Sequence, residues 1–274
     1  MLGASERAST RDVAHPGLPP VSVRSAAVEG VGAARRSAAM RGAASSCKSC
    51  SLRTVCAVNP DELSCSRQMD DLILGYRHVK KGEALYRAGD AFSNLYAVRT
   101  GSYKKVTLLA DGREQVTGFY VSGELLGADG IATDHYASDV VALEDSSVCV
   151  MPFDLLELLS REVKAVQHNV FRMLSADLVR ESNALILLGT MTADERVAAF
   201  LLDLSSRWQA RAYSPNAFGL RMTREETGSF LGLKLETVSR TLSRFQKQGL
   251  IKVRGKEVEI LDFPGLNQVA RRTV

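Results

Sequence analysis

The 274-residue chain is long enough for two ordinary domains, and its 45% hydrophobic content can fill a sizeable core. No run approaches the roughly 18 to 20 apolar residues that a membrane span needs, and no apolar block follows the first charges as in a secretory leader. We therefore expect a globular cytoplasmic protein with no membrane partner. Thiols stay reduced in that compartment, so clustered cysteines favour a metal or redox site over disulfides.

Charge is distributed unevenly along the chain, whose formal net charge is +4. Residues 1–46 carry six basic and three acidic side chains, residues 47–193 carry 15 and 19, and residues 194–274 carry 14 and nine. The first segment has neither helical nor strand periodicity and few large apolar residues, so we expect a disordered tail. The basic carboxyl end is compatible with a polyanion partner, but a charge excess alone is weak evidence.

A cysteine-rich segment, residues 47–66, follows the tail and contains the sequence CKSCSLRTVC. Its first three thiols belong to Cys47, Cys50 and Cys56. Three thiolates at this spacing supply three corners of a tetrahedral zinc site or of an iron–sulfur cubane. A fourth ligand must come from Cys65 or Cys149. Spacing alone chooses neither the fourth cysteine nor the metal.

Residues 67–160 predict a small β domain. Short alternating runs are separated by turn residues at roughly the 8 to 12 residue spacing of an antiparallel sandwich or barrel. The predicted turns are Gly89-Asp90, Gly101-Ser102, Asp111-Gly112 and Ser122-Gly123. Cys149 lies in the predicted strand SVCVMPF, where a lone cysteine is most often a small buried hydrophobe.

Helical periodicity extends over residues 153–188, and we place a dimerisation helix at 161–189. One stripe at 3-4-3-4 spacing comprises Phe171, Leu174, Leu178, Glu181, Leu185 and Leu188. Such a stripe packs against a partner helix or against the core of its own chain. The acidic Glu181 favours an interface that opens and closes, because a carboxylate is not tolerated in a permanently dry core. We therefore predict a homodimer.

The most specific pattern lies in MTREETGSFLGLKLETVSRTLSRFQKQGLIKVRGKEVEIL. Thr223 and Glu226 form a capping box that starts a helix ending at Gly232, and a second helix runs from about Leu235 to Gly249. Two short helices with a glycine at the turn are typical of a helix-turn-helix. The runs LIKV and VEIL then flank RGKE, which predicts a hairpin wing.

The second of these helices carries the predicted DNA contacts of a domain at 190–274. Glu236, Ser239 and Arg240 lie at i, i+3 and i+4, so they share one exposed face whose chemistry suits base edges in the major groove. Predicted phosphate contacts are Arg244, Lys247, Lys252, Arg254 and Lys256. A solvated helix with a Glu236–Arg240 salt bridge is the simpler alternative. It does not account for the turn, the wing and the local charge together.

A β-roll, a long interface helix and a winged helix-turn-helix, in that order, resemble the CRP/FNR superfamily of bacterial transcription regulators. The stretches CKSCSLRTVC, LYRAGDAFSNLYAVRTGSYK, GREQVTGFYVSGELLG, MTREETGSFLGL and LETVSRTLSRFQKQGLI are similar to its FNR (fumarate and nitrate reduction regulator) branch. The similarity extends from Cys47 to about residue 262. It implies an α+β fold whose β-roll is a jelly roll of the cyclic-nucleotide-binding type.

The resemblance also implies a cofactor and partners. One [4Fe-4S] cluster per subunit would be held by Cys47, Cys50, Cys56 and Cys149, leaving Cys65 without a ligand role. A dimer containing the cluster would activate or repress genes for anaerobic growth at palindromic DNA, together with RNA polymerase. The loop at 108–114, LLADGRE, is a candidate part of the polymerase contact.

Glu181 fits this mechanism as a predicted switch. Two copies would face each other across a two-fold axis and repel, so the dimer would be marginal until an intact cluster reorganises the helix. Oxygen, by converting the cluster, would return the protein to monomers that bind DNA poorly.

Competing functions lack their characteristic residues. A cyclic-nucleotide receptor would need an arginine for the phosphate after Gly123-Glu124, and the stretch GIATDHYASDVV contains none. A cupin-type enzyme would need several converging ligands, and His78 and His135 are the only histidines of the sheet region. A structural zinc protein would need no recognition helix, although a CRP-type regulator with a structural zinc or another effector stays open. We therefore predict a regulator that is not an enzyme and binds no cyclic nucleotide.

Overall fold

The computed structural model describes residue 73 and residues 75–270. The predicted tail and the predicted ligands Cys47, Cys50 and Cys56 lie outside the described residues, as does Cys65. Within residues 75–152 the chain forms β1 (Gly75–Val79), β2 (Ala84–Tyr86), β3 (Asn94–Thr100), β4 (Ser102–Leu108), β5 (Glu114–Val121), β6 (Leu125–Leu126), β7 (Asp139–Ala142) and β8 (Ser146–Pro152).

These strands form the predicted β-roll from two antiparallel sheets, with the strand orders β1-β8-β3-β6 and β2-β7-β4-β5. The predicted glycine turns are confirmed, since Gly101 and Gly112 adopt φ values of +86° and +83°, a left-handed conformation that favours glycine. Successive residues of a strand face opposite sides of its sheet. In β8, Val148 and Val150 therefore face the interior of the roll, whereas Cys149 and Met151 face outwards.

Two helices follow the roll, α1 (Phe153–Glu162) and α2 (Lys164–Thr190). The sequence predicts helix over residues 153–188, and the structure interrupts that helix at Val163, which is extended, with φ −121° and ψ 101°. The break allows Leu156 of α1 and Val166 of α2 to be buried in one apolar cluster on the outer face of the β1-β8-β3-β6 sheet. Helix α2 has 27 residues and is therefore about 40 Å long.

The carboxyl-terminal domain is a winged helix-turn-helix, as predicted. Its elements are α3 (Ala193–Gln209), β9 (Ala217–Gly219), α4 (Arg224–Leu231), α5 (Leu235–Lys247), β10 (Ile251–Arg254), β11 (Glu257–Ile260) and α6 (Phe263–Ala270). The capping box of Thr223 and Glu226 starts α4, and Gly232 ends it in a left-handed conformation. Strands β10 and β11 form the predicted wing, with β9 at the open edge of β11.

Candidate nucleic-acid interface and sensory site

Helix α5 presents the predicted base-reading face to solvent. Val238, Thr241, Leu242 and Phe245 bury the opposite face, which leaves Glu236 and Arg240 exposed and Ser239 half-buried. No ion pair of the described residues uses Glu236 or Arg240, so the alternative of an intrahelical salt bridge is not observed. The two side chains are therefore available for contacts with a partner.

The predicted phosphate contacts divide into two groups. Lys247, Lys252, Arg254 and Lys256 are exposed on the end of α5 and on the wing. Arg244 is different, because its Nη1 lies 2.8 Å from Oδ2 of Asp194 at the start of α3. The other carboxylate oxygen of Asp194 accepts a hydrogen bond from the Thr241 hydroxyl at 3.0 Å. Arg244 therefore joins the recognition helix to α3, a role that the sequence analysis missed.

The turn between α4 and α5 depends on the small size of Gly228, a buried residue of α4. A Cβ atom added at Gly228 would lie 2.6 Å from the backbone oxygen of Leu233. We expect Gly228→Ala to lower the free energy of unfolding by about 1–3 kcal/mol, because the turn must open to admit the methyl group. Thermal unfolding measures this loss.

Gly189→Ala is the matched control, because it is also a glycine-to-alanine change in a helix. An added Cβ at Gly189 meets nothing within 4 Å. Alanine is a better helix former than glycine by roughly 0.5–1 kcal/mol, so this variant is expected to be at least as stable as the wild type. Equal melting temperatures for the two variants would contradict the packing role of Gly228.

Cys149 lies where the β-roll meets the long helix α2. It is 8% exposed, and its neighbours in the apolar cluster include Leu95, Leu156 and Val166. Its register partner on β1 is Tyr76, in the first described strand after the cysteine-rich segment. The chain thus enters the β-roll directly beside Cys149. The described residues contain no group of three or more His, Cys, Asp or Glu that could hold a metal, so a complete site here would need ligands from residues that are not described.

Helix α2 carries much of the predicted interface stripe on its exposed side. The exposed large apolar residues of this helix are Phe171, Leu178, Val179, Leu185, Ile186 and Leu188. Leu174 instead packs, partly buried, against the cluster around Cys149. Val179 and Ile186 were missed because they lie one position beyond the predicted stripe. A dimer through this surface stays a prediction.

Glu181 has a partner within its own subunit. Its Oε1 lies 2.7 Å from Nζ of Lys105 on β4, and the lysine side chain is only 12% exposed whereas the carboxylate is 51% exposed. Burial lowers the pKa of Lys105, but the neighbouring Tyr120 and Glu181 raise it by more than burial lowers it, so the net shift of the pKa is upwards. Lys105 therefore stays charged at neutral pH and offsets the negative charge of Glu181.

A cavity of about 370 Å³ lies between the β-roll and α2. The charged residues that line it are Lys105, Asp129, Asp177 and Glu181. The cation among these lining residues is Lys105, and it is already paired with Glu181. An entering phosphate group would therefore be repelled by the carboxylates of the lining. The charge of the cavity is thus unfavourable for a cyclic nucleotide. His78 and His135, which a cupin would direct into the roll, are both exposed.

The winged helix-turn-helix domain packs directly on the β4–β5 hairpin. Phe119 of β5 contacts Phe200 of α3 and Phe230 of α4, with ring centroids 6.0 and 5.3 Å apart. Lys104 Nζ lies 2.8 Å from Oε1 of Glu226. Because the other oxygen of Glu226 caps α4, one carboxylate links the β-roll to the first helix of the helix-turn-helix.

None of the helices in residues 75–270 combines the length and the apolar character needed to cross a bilayer. The geometry described above is that of a DNA-binding protein in which a winged helix-turn-helix is packed on a separate β-roll. Family comparisons agree: residues 195–269 match the Crp-like helix-turn-helix domain, and residues 76–162 match the cyclic nucleotide-binding domain.

Individual relatives extend over most of the chain. The transcriptional activator protein FnrA of Stutzerimonas stutzeri is 42% identical over 224 residues, which cover 82% of this chain and 92% of the relative. The fumarate and nitrate reduction regulatory protein of Escherichia coli K12 is 39% identical, with 85% and 93% covered. The solved structure of FixK2 from Bradyrhizobium japonicum is 28% identical, has a TM-score of 0.67, and covers 73% of this chain and 98% of its own.

This chain belongs to the CRP/FNR family of transcription regulators, and among its relatives are proteins named FNR, FnrA and Anr. The predicted fold class and the prediction that the protein is not an enzyme are thereby confirmed.

Proposed function

We propose that this chain is an oxygen-responsive regulator that holds one [4Fe-4S] cluster through Cys47, Cys50, Cys56 and Cys149. With the cluster present it forms a homodimer through α2, binds palindromic double-stranded DNA in the cytoplasm, and activates or represses genes for anaerobic growth together with RNA polymerase. The observation that carries the proposal is the position of Cys149. It lies between strand β1, which follows the cysteine-rich segment, and the group of apolar side chains that anchors α2.

The surroundings of Cys149 fit a cluster ligand. Metals bind the thiolate form of cysteine, so ligation would supply the compensating positive charge for a thiolate among these apolar side chains. The bound cluster would supply a redox-active centre that oxygen can convert. Leu156 and Val166 pack in the same apolar group as Cys149, so a displacement of the cysteine would be transmitted to the amino-terminal part of α2.

On the DNA side, Glu236, Ser239 and Arg240 would contact base edges, and Lys247, Lys252 and Arg254 would contact phosphates. Arg244 would hold α5 on α3 in addition to any phosphate contact. The exposed Leu108 and Leu109, at the tip of the β4–β5 hairpin, support the loop at 108–114 as a contact for RNA polymerase.

The test is an absorption spectrum with iron, sulfide and zinc analysis of protein purified without air, followed by sizing before and after exposure to oxygen. We expect a brown protein with about four irons and four sulfides per subunit that is dimeric until oxygen bleaches it. Cys149→Ala is expected to lose the cluster, and the matched Cys65→Ala to retain it. A colourless protein with one zinc, unchanged by air, would contradict the oxygen switch and favour a regulator with structural zinc.

A further inference from the structure

We propose that Glu124 sets the position of the DNA-binding domain relative to the dimerisation helix, and thereby the spacing of DNA half-sites that the dimer accepts. This inference rests on the proposed function, since it presupposes a dimer on palindromic DNA. It concerns a carboxylate whose role the sequence does not reveal beyond its place in a Gly-Glu turn.

Glu124 lies in the turn between β5 and β6 and is 8% exposed. Three guanidinium groups, two from helices and one from the turn that follows α3, surround its carboxylate. Arg207 of α3 approaches with Nε at 2.9 Å from Oε1 and Nη2 at 2.7 Å from Oε2, a bidentate pair. Nη2 of Arg211, in the turn just after α3, lies 2.8 Å from Oε1, and Nη1 of Arg180, from α2, lies 3.1 Å from Oε2. One carboxylate thus joins three parts of the fold.

Arg207 and Arg211 also bind the backbone of the β-roll. Nη2 of Arg207 donates to the carbonyl oxygen of Phe119 at 2.6 Å, and Nε of Arg211 donates to that of Ser122. The backbone N–H of Val121 donates to Oε2 of Glu124 at 3.0 Å. Both carboxylate oxygens therefore already accept at least two hydrogen bonds each. The Gly-Glu turn is used to attach a domain and has little acceptor capacity left for a ligand hydroxyl.

The electrostatics make this attachment sensitive to the charge of Glu124. Burial raises the pKa of the Glu124 carboxyl, but Arg207 and Arg180 lower it by more than burial raises it. The net shift of the pKa is downwards, so Glu124 is ionised at neutral pH. Without that charge, three guanidinium groups would lie close together, and among residues 75–270 only Asp203 and Asp177 are paired with them. Breaking a buried ion cluster by removal of one partner is strongly unfavourable. The arginines would then move apart and take the end of α3 with them.

Helix α3 transmits this position to the DNA. It has 17 residues and is about 25 Å long. Arg207 lies near its carboxyl end, whereas Asp194, at its amino end, binds Thr241 and Arg244 of the recognition helix. Release of the end at Glu124 would let the helix tilt about its other contacts. The recognition helix would then no longer have a single orientation.

Half-site spacing reports this orientation, because two recognition helices in a dimer must reach successive major grooves at a set separation. One inserted base pair moves a half-site by roughly 3.4 Å and rotates it by about 35°. A rigid dimer rejects that change, whereas a dimer with loosely held domains tolerates it. Base reading within one half-site depends on α5 itself and would be retained.

The experiment uses cluster-loaded protein without air and a palindrome selected in vitro by the wild type. Binding is measured to that site, to the same site with one central base pair inserted, and to a site with one substituted base in each half. For Glu124→Gln we expect at least a tenfold fall in discrimination against the altered spacing, with discrimination against the substituted bases unchanged. The matched control is Glu157→Gln, which removes an exposed carboxylate paired with Arg161 and should change neither ratio.

A second readout needs neither cluster nor DNA, because all of these contacts lie within one chain. Hydrogen exchange at the carboxyl end of α3 should accelerate in Glu124→Gln and not in Glu157→Gln. Arg211→Met tests the same attachment from the α3 side should Glu124→Gln fail to fold, and it should show the same loss of spacing discrimination. Unchanged spacing discrimination in the folded variant would overturn the inference. Failure of the wild type to select any palindrome would instead refute the proposed function.

Discussion

Arg240→Ala is expected to weaken binding to the selected palindrome by about 2–6 kcal/mol, because both half-sites lose a bidentate contact worth roughly 1–3 kcal/mol each. Arg240 is exposed on α5 and has no ion-pair partner among the described residues, so its loss removes a DNA contact without opening an internal one. Non-specific binding should change little. Titration of specific and random DNA at one stated salt concentration measures both quantities.

The contrasting variant is Lys252→Ala on the wing, which removes an exposed cation. It should weaken binding to all sequences by similar factors and reduce the salt dependence, because a phosphate contact carries no base information. Equal losses of specific and random binding in Arg240→Ala would show that this residue contacts the backbone. No loss of DNA binding at all in Arg240→Ala would show that α5 is not part of the DNA interface.

The second large effect is expected at the pair of Lys105 and Glu181, where the two substitutions should act in opposite directions. Glu181→Ala removes the negative charge of this side chain from α2. The apo protein should therefore dimerise at a concentration at least about tenfold lower than the wild type requires. Lys105→Met leaves Glu181 uncompensated, so the cluster-loaded dimer should dissociate about tenfold more readily. Sedimentation equilibrium without air measures both dissociation constants.

The double variant separates repulsion from loss of packing. If Lys105→Met weakens the dimer only by exposing the charge of Glu181, then adding Glu181→Ala should restore dimerisation. Lys80→Met, at an exposed ion pair with Asp145, is the control for removal of a lysine charge from the β-roll and should have no effect. An apo Glu181→Ala protein as monomeric as the wild type would refute the role of this charge.

The structure changes how Glu181 is expected to work. The sequence predicts two bare carboxylates that repel across a two-fold axis. In the folded chain each carboxylate has a lysine 2.7 Å away, which weakens the repulsion. We therefore expect a dimer whose strength depends on whether Lys105 keeps its contact, which links the β4 strand of the sensory domain to the interface.

Local signals in the sequence were sufficient for the DNA-binding half. The capping box of Thr223 and Glu226, the left-handed Gly232 and the exposed face of Glu236 and Arg240 involve residues a few positions apart. Hydrogen bonding, backbone strain and helical period act over such distances whatever the rest of the fold does. The glycine turns of the β-roll were predictable for the same reason.

The charged pairings could be found only in the tertiary structure. Glu124 and Arg207 are 83 residues apart in the chain, and Lys105 and Glu181 are 76 apart. A sequence shows that a side chain is charged, but the partner depends on which strands and helices the fold brings together. The break at Val163 belongs to the same class, because burial against the sheet outweighs helix periodicity there.

By itself, the amino-acid sequence determined the fold class, the order of the domains and which face of α5 is exposed, because helix caps, glycine turns and hydrophobic periods act locally. Only the tertiary structure decided which buried charges meet, how α3 is held on the β-roll, and which side of α2 is left exposed. Those features depend on desolvation and close packing between distant segments, and such energies arise only when the chain is folded.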